Sequence, residues 1–180
     1  MLINKIVEFK KIIGFSLKKG EYGKDAAVCA LINENQEVLL IKRIEREEDP
    51  WSGQISFPGG HFEIDDKYLH ITALRELKEE TGIENVKIIG ELEVQHPRNL
   101  PELNVYPFLC FKENFNDLRA QKDEVKYFLT PKIFELKKSK KMFQIGDKNF
   151  LEDCFEFNGE IIWGLTYRIL LEIMNLFKNH

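Results

Sequence analysis

The chain has 180 residues, 43% of them hydrophobic, which is enough for one domain with a sizeable core. Its formal net charge of −4, from 26 basic and 30 acidic residues, argues against a protein that coats nucleic acid, because such a protein needs a basic surface. The three cysteines, Cys29, Cys110 and Cys154, lie far apart with no CxxC spacing, so they read as buried free thiols of a reducing compartment rather than a disulfide framework.

The N-terminus, MLINKIVEFKKIIGF, carries Ile3, Ile6, Val7, Phe9 and Ile13 between lysines. The spacing predicts an amphipathic helix within residues 1–20, packed on its own domain. It is too charged for a signal sequence and too short to span a bilayer, so a cytoplasmic protein with no membrane partner is expected. Contact with a membrane surface, or with a second copy in a homodimer, stays open as an alternative for this helix.

Residues 26–32 (AAVCALI) and 37–42 (EVLLIK) read as two strands joined by a turn at Asn33-Glu34-Asn35-Gln36. Residues 43–53 read as a loop, and Gln54 to Phe57 as a short strand leading into Pro58-Gly59-Gly60. A helix is expected from about Lys67 to Thr81, capped by Asp65 or Asp66 and ended by Gly82. On its wheel Leu69, Ala73, Leu74 and Leu77 form an apolar stripe facing the core, while Thr72, Glu76, Glu79 and Glu80 form a second stripe facing a cleft. Further strands are expected around Val86 to Gln95, Val105 to Phe111 and Val125 to Leu129. Residues 132–141 read as a short helix and a basic loop, and residues 164–178 as an amphipathic helix. Strands interleaved with helices indicate a mixed sheet between helices.

The most specific segment is Arg75-Glu76-Leu77-Lys78-Glu79-Glu80-Thr81-Gly82-Ile83. Glutamates at i, i+3 and i+4 share one helix face. Three carboxylates on a solvated face only repel, whereas a hard divalent cation is held by carboxylate oxygens together with substrate phosphates. The segment resembles the Nudix box, the signature of hydrolases that cut a diphosphate linked to a further group. The second half of the box matches at every defined position. The first half differs: Gly60 to Arg75 is one residue longer than the standard spacing, and Asp66 stands where an isolated glutamate is usual. That extra residue, with Phe57-Pro58-Gly59-Gly60, Thr72-Ala73-Leu74-Arg75-Glu76 and Ile162-Trp163-Gly164-Leu165-Thr166, is similar to the coenzyme A pyrophosphatase branch. The upstream segment Leu39-Leu40-Ile41-Lys42-Arg43-Ile44 keeps only the first arginine of that branch's motif.

The resemblance implies an α/β protein with a Nudix-type α/β/α sandwich, and a Mg²⁺ or Mn²⁺ cofactor held by Gly60, Glu76, Glu79 and Glu80. It implies hydrolysis of a nucleoside diphosphate derivative, with coenzyme A or acyl-coenzyme A first. An ADP-ribose, dinucleotide or nucleoside triphosphate pyrophosphatase, and a non-catalytic nucleotide sensor, are the other readings. Arg75 lies four residues before Glu79 and is placed to orient it. The general base is a box glutamate, with Glu80 first, or a residue from a distant loop, with Glu124 as candidate. Arg43, Arg46 and Arg98 are candidates for the substrate's phosphates, because arginine forks match phosphate oxygens. Phe57 and Trp51 complete the candidate substrate contacts; Trp51 either stacks on a base or caps the core. His61 reads as a loop residue, His96 as bordering the cleft, Trp163 as core, and the lysines at 137, 138, 140 and 141 as a solvated face.

Overall fold

The computed structural model describes Phe9, residues 13–47 and residues 51–179, apart from the side chain of Ile145. Its centre is β1 (Asp25–Ile32), nearly all of it buried. β1 runs parallel to β6 (Asn104–Phe111) and antiparallel to β4 (Gly59–His61), and β6 pairs antiparallel with β5 (Lys87–Glu91). The sheet order β4-β1-β6-β5 is therefore mixed.

β1 has no polar face because both of its faces are covered. Ala27, Cys29 and Leu31 join Leu69, Ala73 and Leu77 of α1 (Leu69–Thr81) in one core. Ala30 and Ile32 join Ile169, Leu170, Ile173 and Phe177 of α2 (Gly164–Asn179) in the other. This is the α/β/α sandwich that the interleaved pattern implies. All three cysteines are buried free thiols.

Two antiparallel sheets complete the fold. β2 (Leu40–Arg43) lies between β3 (Ile55–Ser56) and β7 (Val125–Leu129). β9 (Lys148–Phe157) lies between β8 (Lys137–Ile145) and β10 (Glu160–Trp163). In the hairpin turn between residues 32 and 38, the Asn33 side-chain oxygen accepts from the Asn35 and Glu37 amides at 3.0 Å, a local side-chain turn.

Four local expectations are corrected. The helix expected within residues 1–20 lies mostly outside the described residues; Phe9 is helical, but residues 14–20 are not. They run along β5 instead: the Gly14 carbonyl accepts from Glu91 N–H, and the Lys18 carbonyl accepts from Leu69 N–H at the start of α1. The cap of α1 is Tyr68, with no side-chain cap bond, rather than Asp65 or Asp66. Thr72 is fully buried and is not on the cleft stripe, while Leu74 is only half-buried. Finally, residues 137–141 are not a loop. After a single 3₁₀ turn at Ile133–Glu135, the chain enters β8, which is joined to β9 by Gly146-Asp147, with φ of 60° at Gly146. A glycine in the left-handed region is what a two-residue hairpin turn requires.

Among the described residues, no helix is long and apolar enough to cross a membrane.

Candidate active site

α1 ends on Gly82, whose φ of 73° and N–H bond to the Lys78 carbonyl close the helix in the left-handed form. Its packed stripe rolls Glu76 and Glu80 toward β4, the strand that continues from Pro58. A cleft of about 670 Å³ opens there. Gly60, Glu76, Glu80 and Glu124 line it, together with Arg43, Arg46, Trp51, Phe57 and Arg98. Of the residues singled out from sequence, Glu79 and Arg75 are not on its wall.

Glu80 is the most enclosed of the three glutamates, its side chain 2% exposed. Its Oε2 accepts the Gly59 backbone N–H at 2.9 Å, and its Oε1 lies 3.8 Å from Arg43 Nη1. Burial pushes its carboxyl up to about 8, against the lowering influence of Gly59 and Arg43; the charges of Glu76 and Glu124 push the same way as burial. Glu76 is raised for the same first cause, burial, with Arg75 opposing and Glu79 and Glu124 adding to it.

Arg75 organises the face. Its Nε and Nη2 donate to Asp66 at 2.9 and 3.1 Å, its Nη1 to Glu76 at 2.8 Å and to Glu79 at 3.0 Å, and its Nη2 to the His61 carbonyl at 3.1 Å. Asp66, the residue that departs from the box pattern, is thus the anchor of this arginine. It also accepts from Thr72 Oγ1 at 2.8 Å and Glu63 N–H at 3.0 Å. Burial alone raises its carboxyl, but Arg75 and these two donors outweigh it and hold the carboxyl below its ordinary value.

The cation-site reading can be tested on these donors. A Cβ added to Gly60 would collide with the Glu76 carboxylate, so that carboxylate lies directly over the glycine backbone. Half-buried Glu76 and buried Glu80 stand one helical turn apart there, both carboxyls raised chiefly by burial, and a nearby cation would favour their ionised forms. Glu79 is 52% exposed and tied to Arg75, and among the described residues no three His, Cys, Asp or Glu side chains already converge as a metal cluster. Mg²⁺ needs only one or two carboxylates, because waters and substrate phosphates complete its shell. The donor set therefore fits a hard cation.

The remaining candidates divide. Arg46 donates to the Asp123 carbonyl, and its own N–H to Ser52 Oγ at 2.7 Å, so it also ties down the loop after β2. Phe57 is 2% exposed and mostly core. Trp51 lies tilted 6.4 Å from the exposed His61 ring. The His96 side chain is not on the cleft wall; its carbonyl accepts from Arg168 Nη2 at 2.9 Å. Trp163 is only half-buried, stacks on Phe143 at 4.1 Å and lines the cleft, which corrects its assignment to the core. Sequence reasoning missed Gln144 and Glu152 of the β8–β9 hairpin and Arg168 of α2, all on the wall. The available signal was the IWGLT segment, whose Gly164, Leu165 and Thr166 are also on the wall, with Thr166 Oγ1 bonded to the Ile55 carbonyl at 3.0 Å.

The NUDIX domain model matches residues 22–154, and the chain belongs to the Nudix family. It is 32% identical over 165 residues to the mitochondrial Nudix hydrolase 15 of Arabidopsis thaliana, covering 82% of this chain and 56% of that protein. It is 34% identical over 90 residues to the Nudix hydrolase NudL of Pectobacterium atrosepticum, covering 48% of this chain and 47% of that one. The chain thus spans about half the length of these relatives. The solved MutT/nudix family protein from Enterococcus faecalis superposes with a TM-score of 0.55 at 18% identity, over 99% of this chain and 70% of that one, a likeness of fold.

Proposed function

We propose that this protein is a Mg²⁺- or Mn²⁺-dependent hydrolase that cleaves the diphosphate of a nucleoside diphosphate derivative, with coenzyme A or an acyl-coenzyme A as the first substrate class. The observation that carries the reading is the pair of carboxylates, half-buried Glu76 over Gly60 and buried Glu80 on Gly59, in a cleft that also presents Arg43 and Arg46. A bound divalent cation would supply neutralisation of diphosphate charge and activation of water.

The chain's own residues supply the rest. Glu76, Glu79, Glu80 and the Gly60 carbonyl would hold the cation. Arg75 fixes the orientation of Glu76. Arg43 and Arg46 present guanidinium forks to phosphate oxygens. Glu80 is the first choice to take a proton from the attacking water, because its carboxylate is fixed at the cleft by the Gly59 N–H and a bound cation would favour its ionised form. Glu124, exposed at the cleft wall, is the second. Support for coenzyme A comes from the FPGG turn, the one-residue expansion before Arg75, and the position of Gly164, Leu165 and Thr166 on the cleft wall.

The test is turnover of coenzyme A, ADP-ribose, diadenosine polyphosphates and nucleoside triphosphates at equal concentration, in Mg²⁺ and in EDTA, with product identification. Coenzyme A should give adenosine 3′,5′-bisphosphate and 4′-phosphopantetheine, water adding across the diphosphate. A kcat/KM for coenzyme A about tenfold below another substrate, roughly 1.4 kcal/mol in transition-state binding, would transfer the assignment to that substrate. Absence of any turnover with Mg²⁺ or Mn²⁺ would leave a nucleotide sensor.

A further inference from the structure

The wall of the cleft formed by the β8–β9 hairpin and the start of α2 carries a second group of cations. Arg98 and Arg168 both line it. Their hydrogen bonds and ion pairs run to Glu152, Gln95 and His96, and none among the described residues runs to the glutamates of α1.

We propose that Arg98 and Arg168 form a second anion subsite, which takes a phosphate monoester carried by the substrate outside the diphosphate that is cleaved. This rests on the reading of the cleft as a nucleoside diphosphate site and narrows its substrate class.

Charge is the first argument. Arg168 is held by two neutral acceptors, Gln95 Oε1 at 2.7 Å and the His96 carbonyl at 2.9 Å, which fix the guanidinium without cancelling its charge. Arg98 Nη2 pairs with Glu152 at 2.7 Å. Among the described residues Glu152 is the one ion-pair partner of these two arginines, so this part of the wall carries two guanidiniums and one carboxylate, a net positive charge. Burial and then the charge of Arg98 lower the pKa of Arg168, with Glu152 opposing, so the two cations act on each other. A dianionic ligand group relieves that repulsion, and a planar fork suits phosphate oxygens better than a point charge does.

Preorganisation is the second argument. Arg98 lies over the Phe150 ring at 4.7 Å, and Trp163 is braced flat against Phe143, so both are fixed before a ligand arrives. Trp163 and Leu165 on the same wall provide apolar surface beside the cations, which suits a nucleoside bearing the phosphate. A cleft of about 670 Å³ has room for a whole nucleotide beyond the reacting diphosphate.

The experiment compares coenzyme A with dephospho-coenzyme A, which lacks only the monoester, for wild type, Arg168→Gln, Arg168→Lys and Arg98→Gln, with melting temperatures as the folding control. Wild type should favour coenzyme A by about tenfold or more in kcat/KM, mostly through KM. Arg168→Gln and Arg98→Gln should bring that ratio near unity, with Arg168→Lys in between. A wild-type ratio near unity overturns the proposal. So does an equal loss on both substrates in folded variants, the signature of a purely structural role. If no diphosphate is turned over at all, the function proposed above fails, and calorimetric binding still decides the subsite. Adenosine 3′,5′-bisphosphate should bind wild type about tenfold tighter than AMP does, and lose that advantage in Arg168→Gln; equal binding overturns it.

Discussion

Gly59 donates its backbone N–H to Glu80 Oε2 at 2.9 Å, fastening the glycine turn to the last turn of α1 across 21 residues of sequence. One carboxylate thereby holds the strand edge and also faces the cleft, 3.8 Å from Arg43. That double duty makes the site sensitive to small changes in backbone and charge.

Gly60→Ala places a methyl group where the Glu76 carboxylate lies. The obstruction is the far end of a flexible side chain, so Glu76 swings away and the fold persists. Turnover should fall by at least about tenfold while stability changes by no more than about 1 kcal/mol. Steady-state kinetics beside a urea melt check this; unchanged kcat would show that Glu76 need not sit over Gly60.

Asp66→Asn removes the charge that anchors Arg75 while leaving the Thr72 contact a partner. Loss of this buried, charge-assisted bonding should cost about 1–3 kcal/mol of stability. The native carboxyl of Asp66 is held below its ordinary value of 3.8. Its contribution is therefore complete above that value and is lost as pH falls through the lowered native one. Urea unfolding of wild type and variant should diverge at neutral pH and converge in acid; a gap independent of pH would assign the loss to packing instead.

Much of this arrangement is legible in the sequence, and the reasons differ by element. β1 reads as a strand because seven successive apolar residues, Ala26 to Ile32, fill both faces of a central strand. α1 reads as a helix because its apolar stripe and terminal Gly82 agree with each other. β8 does not read as a strand. It is an edge strand with lysines at 137, 138, 140 and 141 in solvent, and charged edges discourage pairing with other chains at the cost of the alternating pattern that marks a strand. Among the described residues its lysines pair across the hairpin, Lys140 with Asp153 and Lys141 with Glu156. Thr72 and Asp66 look like surface residues by type, and are buried because they satisfy one another and Arg75. No spacing rule announces a pair nine residues apart, from the end of a 3₁₀ turn at Ile64–Asp66 to the middle of α1.

Without a divalent cation, Glu80 holds its proton to about pH 8 in the folded protein, whereas the unfolded chain releases it near 4.5. The folded state binds the extra proton between those values, so stability should fall as pH rises from 4.5 to about 8 and level off above. Mg²⁺ favours the ionised carboxylate and should stabilise the protein more at pH 8.5 than at pH 5.5, by linkage. Urea unfolding in EDTA should show a smaller decline in Glu80→Gln than in wild type. Equal slopes would mean that Glu80 ionises normally in the fold.

The central claim, that the cleft carboxylates of α1 run a metal-dependent diphosphate hydrolysis, is tested most directly by kcat of Glu80→Gln at saturating Mg²⁺ on the best substrate of the panel. The account predicts a fall of about 100-fold or more, roughly 2.7 kcal/mol, with melting temperature unchanged or raised. Turnover in Glu80→Gln close to that of wild type would contradict it.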